Sequence, residues 1–247
     1  MDNTKKSYRF ERKYLLGRDA AFALSQRASY VLQPDASGIG GRYSVSSLYF
    51  DDLYNSSFHE KQNGVLVRDK FRARHYDGSM GKVRLERKHK HGDMAYKESA
   101  PLTLEQYLMM CHGGYGFMAG LPEPVFGRFY TAHVLRHMRP VITVDYDRQA
   151  YMHPAGNVRI TFDSGLSASI PNSGRRFSIL SDEHIIMEVK YDHFMPSFIE
   201  GLLTGAPLTQ LTISKFVMAK LAQQGMLGYS MVEHGGLLCP GAGSAYF

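Results

Sequence analysis

Cysteine is scarce in this 247-residue sequence, with only Cys111 and Cys239 present. That excludes a disulfide framework and makes a reducing compartment the expectation. No run of about 18 apolar residues occurs, and the opening stretch MDNTKKSYRFERKYLLG is charged throughout, without the apolar segment of a signal peptide. A soluble, cytoplasmic protein is expected. Nucleotide-binding glycine motifs are missing as well. Ser37-Gly38-Ile39-Gly40-Gly41 has no strand of the right kind before it, and no Gly-x4-Gly-Lys-Ser/Thr is present, which excludes a Rossmann site and a P-loop. His133 and His137 have metal-ligand spacing, but Val134 stands where a His-Glu-x-x-His zinc site needs glutamate.

What is present is an ordinary globular composition, 44% hydrophobic and 21% charged, with a formal net charge of +6. A basic balance favours an anionic partner: nucleic acid, an anionic membrane surface or a phosphorylated small molecule. The charge is concentrated in RDKFRARHYDGSMGKVRLERKHK, Arg68 to Lys90, which reads as two strands joined by the turn Asp77-Gly78-Ser79-Met80-Gly81. Alternate residues of a strand share a face, so Arg68, Lys70, Arg72 and Arg74 line up with Lys82, Arg84, Glu86, Lys88 and Lys90. One face thus holds eight cations and one anion. The other holds Val65, Val67, Phe71, Ala73, Val83 and Leu85, interrupted by Asp69, Arg87 and three histidines. Like charges a few ångströms apart repel by a few kcal/mol at an effective dielectric of about 20, so this clustering implies a polyanionic occupant, with a phosphate chain the working choice.

The same alternation recurs along the chain. Tyr8 to Leu16 places Glu11 and Lys13 on one face, Val141 to Tyr151 shifts from apolar to polar through Ile142, Val144, Tyr146 and Arg148, and Arg159, Thr161 and Asp163 alternate with Val158, Ile160 and Phe162. Glu183 to Asp192 sets Glu188 and Lys190 opposite Met187, Val189 and Tyr191, and Met94 to Ala100 brings Lys97 to the side of the hairpin cations. Helices are predicted from Asp19 to about Leu32, from a Thr103/Gln106 capping box to about His112, over Phe126 to Met138, over Pro196 to Leu203 and over Thr212 to Gln224. Tyr54 to Gly64 reads as irregular. Strands apolar outward and charged inward solve their edges best by closing. The expected fold is therefore α+β: a closed antiparallel β-barrel of about eight strands around a charged lumen, with helices packed outside. One domain is expected over 1–227, with a loosely held tail over 228–247.

Eight segments carry a family resemblance: RFERKYLL at 9–16, SLYFDD at 47–52, KFRARHY at 70–76, VRLERKHK at 83–90, VDYDRQAY at 144–151, VRITFD at 158–163, MEVKY at 187–191 and SKF at 214–216. In this order they resemble a VTC-type polyphosphate polymerase domain of the triphosphate tunnel metalloenzyme superfamily. The resemblance implies an eight-stranded tunnel that transfers the γ-phosphate of ATP to a growing polyphosphate chain, helped by Mn2+ or Mg2+. Carried over by motif position, Lys13, Arg72, Arg74, Lys88, Arg148, Arg159, Lys190 and Lys215 would contact phosphates. Glu188 would hold the metal, and Tyr146 and Ser214 would orient phosphate groups; Lys97 joins the substrate-binding set by its face. For Glu188 a cross-strand ion pair with a luminal cation is the other reading.

Phosphoryl transfer to an already ionised phosphate needs positioning and charge neutralisation rather than a side-chain nucleophile. Arginines grip oxygens bidentately, whereas lysines act as point charges. Triphosphatases and class IV-type adenylyl cyclases of the superfamily carry Glu-x-Glu-x-Lys near the N-terminus; here the first position is Arg9, which argues against hydrolysis and towards the polymerase. Polymerases also often have a basic residue where Thr212 stands. Neither an SPX-like regulatory module nor a membrane segment is recognisable, so any membrane-protein partner would be a separate chain. The competing readings are a tripolyphosphatase or nucleoside triphosphatase in the same tunnel, and a non-catalytic polyphosphate-binding module. Nucleic acid is disfavoured as a partner, because base stacking needs aromatic residues among the cations and the hairpin's cationic face supplies only Tyr76.

Overall fold

The alternating segments form ten strands in a computed structural model that describes residues 9–92, 94–206, 208, 210, 212 and 214–225. They are β1 (Phe10–Gly17), β2 (Gln33–Pro34), β3 (Arg42–Asp51), β4 (Val67–Tyr76), β5 (Val83–His91), β6 (Met94–Leu102), β7 (Arg139–His153), β8 (Val158–Ser169), β9 (Arg176–Ser178) and β10 (His184–Tyr191). The helices are α1 (Arg18–Val31), α2 (Ser56–Gln62), α3 (Leu104–Cys111), α4 (Pro124–Arg136), α5 (Ser197–Leu203) and α6 (Lys215–Gln223). The capping box forms: Thr103 accepts from the Gln106 amide while the Gln106 side chain accepts from the Thr103 amide. The predicted tail lies outside the described residues.

All strand pairs are antiparallel, in the order β1-β10-β8-β7-β3-β4-β5-β6, with β2 added to β7 and β9 to β8. The closed barrel expected from sequence is not what forms. Among the described residues no ladder joins β1 to β6, and the sheet is a curled, open one. Each free edge has a local reason. Tyr14 of β1 makes a bridge to Gln210 instead. β6 carries Lys97 and Glu98, and Pro101 has no amide to donate, features that discourage further pairing.

The convex face is apolar and helix-covered. Leu48, Phe50, Phe71, Ala73 and Leu85 pack with Tyr107 and Met110 of α3 and Phe126 and Phe129 of α4. Tyr14, Ile160, Phe162, Met187 and Val189 pack with Leu24 of α1 and Ile199 of α5. The expectation of helices outside fails for α6. Its Phe216, Val217 and Met218 join Val45, Tyr49, Ile142, Val144 and Ile186 in a third core on the concave side. Part of the cause is legible at Gly165, whose φ of +60° marks a bulge between β7 and β8. The extra residue shifts the inward set from Thr161 and Asp163 to Leu166 and Ala168, which adds two apolar side chains to those that strand alternation already turns inward, and this apolar part of the concave face needs cover.

The predicted irregular stretch contains α2, which no apolar period announces. Asp51 accepts hydrogen bonds from the amides of Ser57 (2.9 Å) and Phe58 (3.2 Å), and Asp52 from those of Tyr54 (3.0 Å) and Ser56 (2.9 Å). Two buried carboxylates thus satisfy the amides that a helix start leaves without partners. The acidic pair of SLYFDD holds the start of α2 to the end of β3.

Candidate functional site

The polar half of the concave face is a continuous network of cations and acids built by β1, β3 to β8, β10 and α6. Its best-buried centre is Asp163 on β8, fully buried and gripped in two places by Arg148, with Nε–Oδ1 at 2.6 Å and Nη2–Oδ2 at 2.8 Å. Lys215, the first residue of α6, lies 2.7 Å from the same carboxylate and 3.1 Å from Glu188. Glu188 also receives Lys190 at 2.9 Å and Lys13, directly opposite in the ladder, at 3.4 Å; Arg148 stands 3.9 Å away.

A second centre lies on the other wall. Glu86 of β5 is held by Arg72 at 2.7 Å and Lys97 at 2.8 Å. Tyr146 joins the walls, its hydroxyl accepting from Arg74 at 3.2 Å and from Arg148 at 3.4 Å. Arg74 also donates to Ser47 at 2.8 Å. Glu11 takes Lys13 of its own strand at 2.8 Å and, across the open side of the sheet, Lys88 of β5 at 2.9 Å. Ser214 meets Lys70 at 3.3 Å. Arg159 is drawn towards Asp35, just after β2, and the Tyr43 hydroxyl of β3.

The predicted residues therefore fall into one connected lumen, with Arg159 at its margin. Sequence reasoning passed over Asp163, Glu86 and Glu11 as site members, although alternation had placed all three on the inward face. It also passed over Ser47 and Tyr49, whose stretch, Tyr43 to Asp51, reads as a strand rich in aromatic and β-branched residues. The alternative reading of Glu188, a cross-strand ion pair, describes its contacts here.

Burial and charge pull in opposite directions on the groups that share an ion pair. Desolvation would raise the carboxyls, but the cations outweigh it: Lys13, Lys190 and Lys215 hold Glu188 well below the usual range, Arg148 and Lys215 hold Asp163 down, and Arg72 and Arg74 do so for Glu86. For the ammonium groups desolvation wins in some places and loses in others. Lys13 is raised despite burial by Glu11 and Glu188, and Lys215 by Asp163 and Glu188, whereas burial lowers Lys190 and Lys88 despite their acidic partners.

A hard divalent cation would find suitable donors at Glu188 and Glu11, two ionised carboxylates that share Lys13. Thr161, opposite Glu188 in the ladder, adds a buried hydroxyl with no hydrogen-bond partner among the described residues. No group of three or more His, Cys, Asp or Glu placed to hold a metal occurs among the described residues. Phosphate oxygens and water would complete the coordination.

The VTC domain family model matches residues 8–222. The chain belongs to the VTC domain family. The match runs from just before β1 into the last turn of α6, and is that of a VTC-domain, triphosphate tunnel metalloenzyme-like protein. Among solved structures, the PH1819 protein from Pyrococcus horikoshii OT3 is similar at 14% identity, covering 88% of this chain and 99% of that one, with a TM-score of 0.46. A putative adenylate cyclase from Bacillus halodurans is similar at 13% identity over 93% of this chain and 94% of that one, with a TM-score of 0.46. No curated protein matches the sequence. No helix among the described residues of this VTC domain is long and apolar enough to cross a membrane.

Proposed function

We propose that this VTC domain is an ATP-dependent polyphosphate polymerase, transferring the γ-phosphate of ATP to a polyphosphate chain held in the lumen, with Mn2+ or Mg2+ at Glu188 and Glu11. The arrangement suits that chemistry because it is built to neutralise charge and to position oxygens. A phosphate acceptor is ionised at neutral pH, so the absence of a nucleophile–base pair from the network is no obstacle. When bound, the metal would offset charge on the transferring phosphoryl group. Arg72, Arg74 and Arg148 would orient oxygens bidentately, and the lysines would hold the chain without fixing its register.

The observation that carries polymerisation over hydrolysis is the placement of Arg9. It pairs with Asp192 at 2.8 Å and with the carbonyl of Asn157, at the strand end away from the Glu188 corner. The two-acid pattern on β1 is thereby reduced to Glu11 alone, which supports transfer to phosphate rather than metal-activated attack by water.

The test is incubation of the purified protein with ATP and Mn2+ or Mg2+, resolving phosphate chains by gel, beside Arg74→Ala and Glu188→Ala. Long chains and ADP, lost in both variants, are expected. Orthophosphate and ADP would mean a hydrolase, and chain binding without turnover would mean a binding module.

A further inference from the structure

The luminal cations differ in what holds them. Among the described residues, each cation of the network set out for the site has a carboxylate within 4 Å except Arg74, which rests on two hydroxyls, and Lys70. The Lys70 ammonium lies 3.3 Å from Ser214 Oγ and 4.9 Å from the centre of the Phe216 ring. Both partners belong to α6 or its first preceding residue, and both are neutral. The next cation on α6, Lys215, is turned to Asp163 and Glu188.

The charged groups acting most strongly on Lys70 are themselves cations: Lys61 from α2, Lys13 from β1, Arg68 from its own strand and Lys88 from β5. A partly desolvated ammonium among like charges is electrostatically incomplete, and burial followed by these four neighbours pushes its pKa down to about 7. An anion beside it would remove both penalties at once. Aromatic contact alone would not require this surplus of charge.

We propose that Lys70 and the Ser214 hydroxyl form a phosphoryl-binding step of the lumen at its α6 end. The inference rests on the lumen being a phosphate site and adds a residue that the motif carry-over did not select. One consequence is proton-linked binding. Lys70 is partly neutral in the free protein above pH 7, and a bound phosphoryl group restores its proton, so affinity falls as pH rises beyond that point.

Tripolyphosphate titrated calorimetrically into the full chain tests this, at about pH 6 and about pH 8, values that straddle the Lys70 midpoint. Paired buffers of different ionisation enthalpy report proton uptake. Lys70→Met is expected to weaken binding about 10- to 100-fold at the lower pH, less at the higher, and to lose proton uptake relative to wild type. Lys70→Arg, charged at both values, is expected to keep wild-type affinity at the lower pH and to lose the extra uptake.

Wild-type affinity and uptake in Lys70→Met would overturn the proposal while leaving the tunnel reading intact. So would Lys70→Arg binding as weakly as Lys70→Met with an unchanged thermal transition, since shape rather than charge would then decide. Failure of the wild type to bind tripolyphosphate would sink the tunnel reading and this inference with it.

Discussion

The ammonium group of Lys88 on β5 lies 2.9 Å from the carboxylate of Glu11 on β1, although among the described residues no backbone ladder joins β1 to β5 or to the edge strand β6. The open side of the lumen is therefore bridged at this point by side-chain charge. Such a seam differs from a hydrogen-bonded one in that a polyanion competes for its cation.

Removing the acid should expose that competition. Glu11→Gln leaves Lys88 and Lys13 without their shared partner, so metal-free tripolyphosphate binding should tighten and its salt dependence steepen. Because Lys88 is 42% exposed, the pair itself contributes at most about 1 kcal/mol of stability. Calorimetric titration at two salt concentrations checks this; unchanged affinity and unchanged salt dependence would mean that the seam does not meet the ligand.

The Arg148–Asp163 pair lies at the opposite extreme of burial. Truncating one member of a buried pair costs about 3 to 5 kcal/mol, and Arg148→Met should fall near the lower figure because Lys215 remains 2.7 Å from Asp163. Urea denaturation would measure the loss. A change below about 1 kcal/mol would show that Asp163 is solvated in the folded protein.

Acid should unfold the domain through the lumen. Glu188, Asp163 and Glu86 have folded pKa values below their unfolded ones, so their stabilisation is complete above the unfolded range of about 4 and is lost as pH falls through the folded values. The melting temperature of the wild type is expected to decline steadily below about pH 5. Glu86→Gln should start lower at neutral pH and decline less. Parallel curves for the two proteins would remove Glu86 from the account.

Gly165 should resist substitution for a backbone reason. A Cβ there would meet only Asp147 Oδ2 at 3.7 Å, so space is not limiting. The positive φ is, and Gly165→Ala should cost about 1 to 2 kcal/mol. A thermal melt indistinguishable from wild type would mean that the bulge relaxes without penalty, and with it the inward turn that gives α6 its apolar seat.

The inward-facing acids and cations of the central hairpin were legible because the two-residue period of a strand is local: Arg72, Glu86 and Lys88 need only their immediate neighbours to choose a face. The capping box at Thr103 was legible for the same reason. α2 was not, since its start is secured by Asp51 and Asp52 through hydrogen bonds that leave no hydrophobic period. The role of Lys70 was also hidden, because its partner Ser214 lies far along the chain and its surplus charge comes from four separate elements.

Residue order alone determined the alternation, hence which side chains face inward and that an excess of positive charge would gather there. Only the tertiary structure decided that the sheet stays open, that α6 enters the concave side, and that each acid takes its particular lysines and arginines. Those outcomes depend on distances between segments far apart in the chain, where burial and competing charges are settled together, and no local pattern encodes that balance.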